Sequence, residues 1–267
     1  MLFLLIIFII FLCALFLLLY FIFKKKKESF DKNDFVKWDP SKNSFLLNNK
    51  NFYAIGCNMP WMGLIVANKL NQCFVQPADK DVVDTLTYAR QVLNCNVIRC
   101  HTLGFSAFSK NSFLPNGKIN EKYWDTINLI IKTSKQLGLY LIPVLTDQYN
   151  GYNGNYNIFL GDGESSADFY DTKSQAFKNY KSFINEFLNH EVDGTKIKDH
   201  PNIFCLEFGN ELGDHFGMSA NNCVVDQTIS CVYNPSQTPL NIPKTLCPVP
   251  TKEWFIAVKD YIKETIN

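Results

Sequence analysis

The chain has 267 residues, of which 26 are Lys or Arg and 25 are Asp or Glu. Because these charges nearly cancel, the chain has no basic field to attract phosphate, and its composition argues against a nucleic-acid partner. Hydrophobic residues make up 47% of the sequence, which is enough for a sizeable core even after the apolar amino terminus is set aside.

Residues 1–23 contain no charged side chain. About twenty apolar residues are long enough to cross the hydrocarbon core of a bilayer as a helix. A cleavable signal would show a basic start and a small-residue cleavage site, and neither is clear here. The pattern therefore predicts a transmembrane helix or an uncleaved signal anchor, followed by a polar and basic linker over residues 24–44 that begins with the run Lys24 to Lys27.

Nine cysteines are many for a chain of this length. Cys13 lies in the apolar segment, so eight remain, an even number that permits disulfides in an oxidising compartment. Cys57, Cys100 and Cys205 fall in strand-like runs and are predicted to be small buried residues. Three others in a polar, Pro-rich stretch are candidate bridge members: Cys223, Cys231 and Cys247. The sequence gives no pairing, and without a CxxC motif or a Cys/His cluster neither a metal nor another cofactor is predicted.

Strand-like and helix-like segments alternate along the rest of the chain, which is typical of βα units and a parallel sheet. The predicted strands cover residues 52–58, 97–103, 140–145 and 203–208, and the predicted helices cover residues 81–93, 121–137, 174–189 and 251–266. Asn94 and Gly138 follow the first two helices and suit helix ends. The pattern indicates an α/β fold of four βα units, whereas a closed barrel needs eight.

The fourth predicted strand is apolar from Ile203 to Phe208 apart from Glu207, as expected for a strand that is covered on both faces. Asn210 and Glu211 follow at its carboxyl end. In parallel α/β barrels the carboxyl ends of the strands form the active face, so Glu211 is a candidate acid/base and Asn210 a candidate substrate contact. Glu207 lies earlier in the same strand and is not presumed to face the same cleft, so it is predicted to be a structural carboxylate.

Four segments resemble the glycoside hydrolase family 5 enzymes, and most closely their endo-β-1,4-mannanases. The resemblance runs from about residue 45 to the end, over residues 52–63, 97–101, 145–152 and 199–212. It implies that residues 45–267 form the amino-terminal half of a (β/α)8 TIM barrel. In the first segment Asn58 precedes Trp61, which resembles a Trp that floors a sugar subsite, and the second segment carries Arg99.

The resemblance implies retaining hydrolysis of β-1,4-mannosidic bonds, in which an acid/base and a second carboxylate flank the scissile bond. Glu211 matches the acid/base, which must be protonated to donate to the leaving oxygen. Asn210 matches the residue that holds the 2-hydroxyl of the sugar. Arg99 matches the residue that keeps the nucleophile ionised, although an internal ion pair that braces the barrel fits it equally well. The family's nucleophile lies on the seventh strand, and no residue here is assigned that role.

Aromatic side chains stack on the apolar faces of sugar rings. The residues implied to bind substrate are Asn58, Trp61, Tyr149 and Tyr152. Tyr156 also falls in a loop that follows a strand and is a further candidate for stacking. Trp124 and Trp254 lie on predicted helices and are expected in the core.

Two alternatives to a mannanase remain open from the sequence. The missing nucleophile favours a non-catalytic carbohydrate-binding or degenerate membrane-anchored protein, and within the enzyme class a β-1,4-glucanase is an alternative. The expected partners are a membrane, through residues 1–23, and a polysaccharide such as mannan, glucomannan or glucan. The domain is expected to be membrane-anchored or secreted and to lie outside the cytoplasm, although the run Lys24 to Lys27 favours the opposite orientation.

Overall fold

A computed structural model describes residues 30, 34–60, 62, 79–101, 121–147, 156–212 and 250–267. The predicted membrane segment at residues 1–23 and the candidate subsite residues Trp61, Tyr149 and Tyr152 lie outside these ranges. Within the ranges, no helix is long and apolar enough to cross a membrane.

Four α-helices occur in the described residues, close to where the sequence predicts them. They are α1 (Asp79–Gln91), α2 (Glu121–Leu137), α3 (Gln175–Asn189) and α4 (Lys252–Ile266). The predicted bounds of α2 are confirmed. Hydroxyl caps fix the starts of the last two helices, because Ser174 accepts a hydrogen bond from the Phe177 amide at 2.9 Å and Thr251 accepts one from the Trp254 amide at 3.1 Å.

A parallel sheet lies beside these helices. Its strands are β4 (Gly56–Asn58), β5 (Val97–His101) and β6 (Tyr140–Val144), in that spatial order. The fourth predicted strand is present only as three parallel bridges, Leu141 with Ile203, Val144 with Glu207 and Asp147 with Asn210. Two residues lie between the first two bridges on the β6 side and three on the other side, so the fourth segment carries one extra residue there, as in a β-bulge.

An antiparallel sheet precedes the parallel one and was not predicted from the sequence. Its strands are β1 (Lys37–Asp39), β2 (Ser44–Leu47) and β3 (Lys50–Phe52). Asn48 and Asn49, with φ of 51° and 63°, form the turn between β2 and β3, as two-residue hairpin turns require positive φ. The predicted first strand at residues 52–58 is therefore wrong at its start. The folded chain also begins before residue 45, within the predicted linker.

Aromatic side chains join the antiparallel sheet to the rest of the molecule. The ring of Phe45 lies 4.9 Å from that of Phe204, and the ring of Phe52 lies 5.1 Å from that of Tyr140. Because Tyr140 begins β6 and Phe204 begins the fourth segment, this sheet packs at the amino ends of the parallel strands. The carboxyl ends, where the candidate residues lie, are on the opposite side.

The core lies between the parallel sheet and the helices and is rich in aromatic rings. Trp124 and Trp254 are both buried, as predicted. The Trp254 indole donates a hydrogen bond to the Phe169 carbonyl at 2.9 Å and stacks on Tyr180 with ring centroids 6.0 Å apart. This packing attaches α4 to α3 and to the 3-10 turn Ser166–Tyr170.

Two further short strands follow α3. They are β7 (Glu191–Val192) and β8 (Thr195–Lys196), which pair as an antiparallel hairpin. Asp193 and Gly194 connect them with φ of 50° and 72°, the conformation that tight hairpins need.

Candidate active site

Arg99 is the centre of a polar cluster at the carboxyl side of the parallel sheet. Its guanidinium binds the Glu207 carboxylate with both arms, Nε to Oε1 at 2.8 Å and Nη2 to Oε2 at 2.6 Å. Two parallel charge-assisted bonds of this kind fix the planes of both groups. The β4–β5 register places Asn58 opposite Arg99, and Nη1 donates to the Asn58 Oδ1 at 3.0 Å.

Asn210 is held between Arg99 and Asp147. Its Oδ1 accepts from Arg99 Nη2 at 3.0 Å, and its Nδ2 donates to Asp147 Oδ1 at 3.2 Å. Its backbone amide donates to the Thr146 carbonyl at 2.8 Å. Since a guanidinium can only donate and a carboxylate can only accept, the two partners determine which way the amide points.

The pKa of Arg99 lies above its ordinary value, chiefly because of the hydrogen bonds to Glu207, while partial burial acts in the opposite direction. Arg99 is therefore a permanent cation within the cluster. Of the two roles left open by the sequence, the structure contains the internal ion pair. Glu207 is the partner in that pair, as expected for a structural carboxylate, and it shares the Arg99 guanidinium with Asn210.

Glu211 follows Asn210 directly and is exposed. Its backbone has a φ of 50°, the left-handed region that non-glycine residues rarely adopt. A Cβ at Gly209, two residues earlier, would lie 2.7 Å from the Leu212 side chain, so a larger residue there would require Leu212 to move. The buried Tyr180 hydroxyl donates to the Phe208 carbonyl. This hydrogen bond attaches the segment that leads to Glu211 to the core.

The remaining sequence candidates have different outcomes. Asn58 joins the cluster, whereas Trp61, Tyr149 and Tyr152 fall outside the described ranges. Tyr156 is 2% exposed and stacks on Phe169, so of its two candidate roles the structure shows packing within the protein and not an accessible ring for a sugar. Its hydroxyl pKa is raised to about 12 by burial.

Asp147 was missed as a site residue, although it belongs to a segment that carries the family resemblance. It is 1% exposed and follows β6 at the same edge as Arg99 and Asn210. A carboxylate directly after a buried strand was the available signal. In the part of the chain that the structure describes, no group of His, Cys, Asp and Glu could hold a metal ion.

The cluster combines a fixed cation, two amides and two carboxylates beside the exposed Glu211. Such groups can donate to and accept from the hydroxyls of a polar ligand, and an exposed carboxyl group beside them can exchange a proton with it.

Solved structures define the fold class. The chain is similar to an endo-1,4-β-mannanase from Rhizomucor miehei, with a TM-score of 0.59, 21% identity and coverage of 86% of this chain and 57% of that one. A glycoside hydrolase family 5 mannosidase from the same organism matches with a TM-score of 0.58 at 17% identity, over 89% of this chain and 55% of that one. The fold is therefore the α/β barrel type of these enzymes, with about half of the barrel in this chain.

Sequence relatives agree with the family resemblance. The chain is 24% identical over 196 residues to mannan endo-1,4-β-mannosidase 4 of Solanum lycopersicum, which covers 71% of this chain and 46% of the relative. It is 24% identical over 177 residues to mannan endo-1,4-β-mannosidase 3 of Arabidopsis thaliana, covering 62% and 40%. The chain thus spans less than half the length of these relatives. No protein-family model matches it.

Proposed function

We propose that the protein is a glycoside hydrolase that cleaves β-1,4-linked mannan with retention of configuration, and that Glu211 is its acid/base. The observation that supports this most directly is the position of Glu211, which follows an Asn210 amide held by Arg99 and Asp147 at the carboxyl edge of the parallel sheet. The names of the sequence relatives support mannan as the substrate.

Four residues of the site have parts in this mechanism. Glu211 is exposed and can approach a glycosidic oxygen, to which it donates a proton as the bond breaks. Asn210 presents a fixed amide to the 2-hydroxyl of the sugar, and such a contact strengthens in the oxocarbenium-like transition state. Arg99 and Asp147 act through Asn210 and are positioning residues.

The second carboxylate of a retaining site lies about 5 to 5.5 Å from the first. Glu207 lies four positions before Glu211 in the same segment and pairs with Arg99 through both of its oxygens, so the proposal keeps it as a structural carboxylate. The proposal therefore assigns no nucleophile among the residues that the structure describes. It also keeps residues 1–23 as a membrane anchor that presents the domain outside the cytoplasm.

The test measures reducing ends released from β-1,4-mannan by the protein purified from its source organism and by a Glu211→Gln variant. Removing a general acid/base lowers the rate by about 100-fold or more, so the variant is expected to lose nearly all activity. Glu253→Gln is the matched control, since Glu253 is exposed in the first turn of α4, and it should retain full activity.

Other outcomes separate the alternatives. Equal activity of the Glu211→Gln variant and the unmodified protein would refute the assignment. Calorimetric binding of mannan oligosaccharides without any hydrolysis would favour a carbohydrate-binding protein. Faster release from β-1,4-glucan than from mannan would favour a glucanase.

A further inference from the structure

The chain enters the folded domain at the amino ends of the parallel strands. The ring of Phe30 lies 4.7 Å from that of Tyr140, and the Tyr140 hydroxyl donates to the Asp34 carbonyl at 2.9 Å. Tyr140 is the first residue of β6. Phe30 and Asp34 are therefore attached to the same side of the molecule as the antiparallel sheet.

Only a short linker separates this attachment from the apolar segment. The charge-free run ends at Phe23, so residues 24–29 lie between it and Phe30. An extended chain spans at most about 3.6 Å per residue, so the seven steps from Phe23 to Phe30 reach about 25 Å. With Phe23 at the edge of the hydrocarbon core, the headgroup layer takes up about 5–7 Å of that length. About 18–20 Å then remain between the headgroups and Phe30.

This linker is too short to bring the carboxyl edge of the sheet to the bilayer. Asp147, which pairs with Asn210 at that edge, lies seven positions after Tyr140, or about 23 Å at the rise of a strand. With the carboxyl edge against the bilayer, the linker would have to cover this height and also pass around the domain. With the amino side against the bilayer, it has to do neither.

We propose that the amino side of the domain, formed by the antiparallel sheet, lies against the bilayer surface, and that the carboxyl edge with Glu211 points away from it. The inference rests on the membrane anchor proposed for residues 1–23 and specifies how that anchor presents the site. The linker has the same length on either side of the membrane, so the orientation does not depend on which side the domain occupies.

One aromatic side chain of the antiparallel sheet is placed to contact lipid. Trp38 lies in β1 and is 50% exposed, and its ring packs on that of Phe45 with centroids 5.1 Å apart. Phe45 in turn contacts Phe204, so Trp38 lies at the outer end of a row of rings. An indole that is partly packed and partly exposed suits the membrane–water interface, where apolar and polar surroundings meet.

The charges on this side of the domain favour an anionic surface. Lys37, Lys42 and Lys50 are exposed, whereas Asp34 and Asp39 are half-buried. The Lys42 ammonium lies 3.8 Å from the Asp39 carboxylate. The more exposed charges are therefore the positive ones, and they are attracted to the anionic headgroups of a bilayer.

The orientation determines whether a polymer can reach the candidate active site. With the carboxyl edge away from the bilayer, Glu211 and Asn210 are open to a long polysaccharide. The opposite orientation would place them against headgroups, which would block a polymer.

The experiment reconstitutes the full chain in phosphatidylcholine–phosphatidylserine vesicles, with or without bromine atoms on the upper part of the lipid chains. Bromine quenches indole emission at close contact. We expect a partial loss of emission in the brominated vesicles, which Trp38→Phe should abolish. Trp61→Phe is the matched control and should retain the loss, since Trp61 follows the carboxyl end of β4. Trp124 and Trp254 are buried and should not contribute.

The other outcomes separate this inference from the proposals on which it rests. Equal emission in both kinds of vesicle, with the chain bound to them, overturns the orientation and leaves the anchor intact. A loss that Trp61→Phe abolishes also overturns it. A chain that does not float with the vesicles refutes the anchor and this orientation together, whereas the role of Glu211 is tested separately by mannan hydrolysis.

Lysine acylation gives a second measurement on the unmodified chain, which decides the question if Trp38→Phe fails to fold. Lys37, Lys50, Lys80 and Lys252 are all exposed. Lys80 and Lys252 lie at the starts of α1 and α4, which follow the carboxyl ends of strands in βα units. In lipid nanodiscs Lys37 and Lys50 should react more slowly than Lys80 and Lys252, and equal or reversed rates overturn the proposal.

Discussion

The guanidinium of Arg99 meets three different side chains, Glu207, Asn58 and Asn210, through three of its nitrogen atoms. Lysine could not replace it, because an ammonium is a point donor without the planar fork that binds a carboxylate at two points. The consequence for Asn210 is a single orientation of its amide. Arg99 therefore orients the Asn210 amide, which is the group proposed to contact the sugar.

Arg99→Lys is predicted to lower the free energy of unfolding by about 1–2 kcal/mol, since the lost bonds involve charged but partly exposed groups. Urea unfolding monitored by fluorescence measures this. Lys80→Ala removes a pair with Asp84 on the exposed surface of α1 and should leave the urea midpoint unchanged. Equal losses in the two variants would contradict a structural role for the Arg99 pair.

The strand pattern located Asn210, and the family resemblance located Arg99 and Asn58. Neither located Glu207 as their neighbour. Strict alternation along a strand cannot show an extra residue such as the one between the Ile203 and Glu207 bridges. The left-handed backbone of Glu211 was also beyond reach, since glycine or asparagine would be the usual signal for it.

At the scale of elements, helices were predicted more reliably than strands. Ser174 and Thr251 cap α3 and α4, and these hydroxyls are visible in the sequence. The fourth strand was predicted as regular, but it makes only three bridges to β6 and its flanking residues. Pairing depends on distant partners, and local sequence does not contain that information.

The β7–β8 hairpin depends on His200, which is 1% exposed. Its Nε2 lies 3.0 Å from the Val192 carbonyl and 3.1 Å from the Thr195 carbonyl, so this nitrogen carries a proton and donates. Burial lowers the pKa of His200 below its ordinary value of 6.5. The neutral imidazole is therefore the form that the fold stabilises.

Acidification is predicted to weaken the fold through His200. Below pH 6.5 the unfolded chain binds a proton at this residue while the folded chain does not, so the free energy of unfolding falls until the lower folded pKa is reached. Urea midpoints at pH 7.5, 6.5 and 5.5 measure the fall. A His200→Gln variant should be less stable at pH 7.5 and show a smaller fall, and an identical fall in both proteins would contradict the assignment.

At the scale of the molecule, Trp254 connects the last helix to the core. It is fully buried, it donates to the Phe169 carbonyl, and its ring stacks on Tyr180. The sequence predicted a core Trp on α4, because helical spacing places it with Val258 and Ile262 on one face. The partners of that face lie some 80 residues earlier and could not be inferred.

Trp254→Ala is predicted to lower the free energy of unfolding by about 3–5 kcal/mol, because it removes a buried aromatic side chain and leaves a cavity. The adjacent Phe255 is 41% exposed, so Phe255→Ala should cost about 1 kcal/mol or less. Urea unfolding of both variants provides the comparison. Similar losses would mean that α4 is not anchored through Trp254.

The antiparallel sheet has a consequence for synthesis of the chain. Phe45 and Phe52 leave the ribosome early, but their partner Phe204 is added 152 residues after Phe52. At about 5–20 residues per second this interval lasts about 8–30 s. Throughout it the aromatic face of the hairpin lacks that partner, which makes this segment a natural client for chaperones that bind nascent chains.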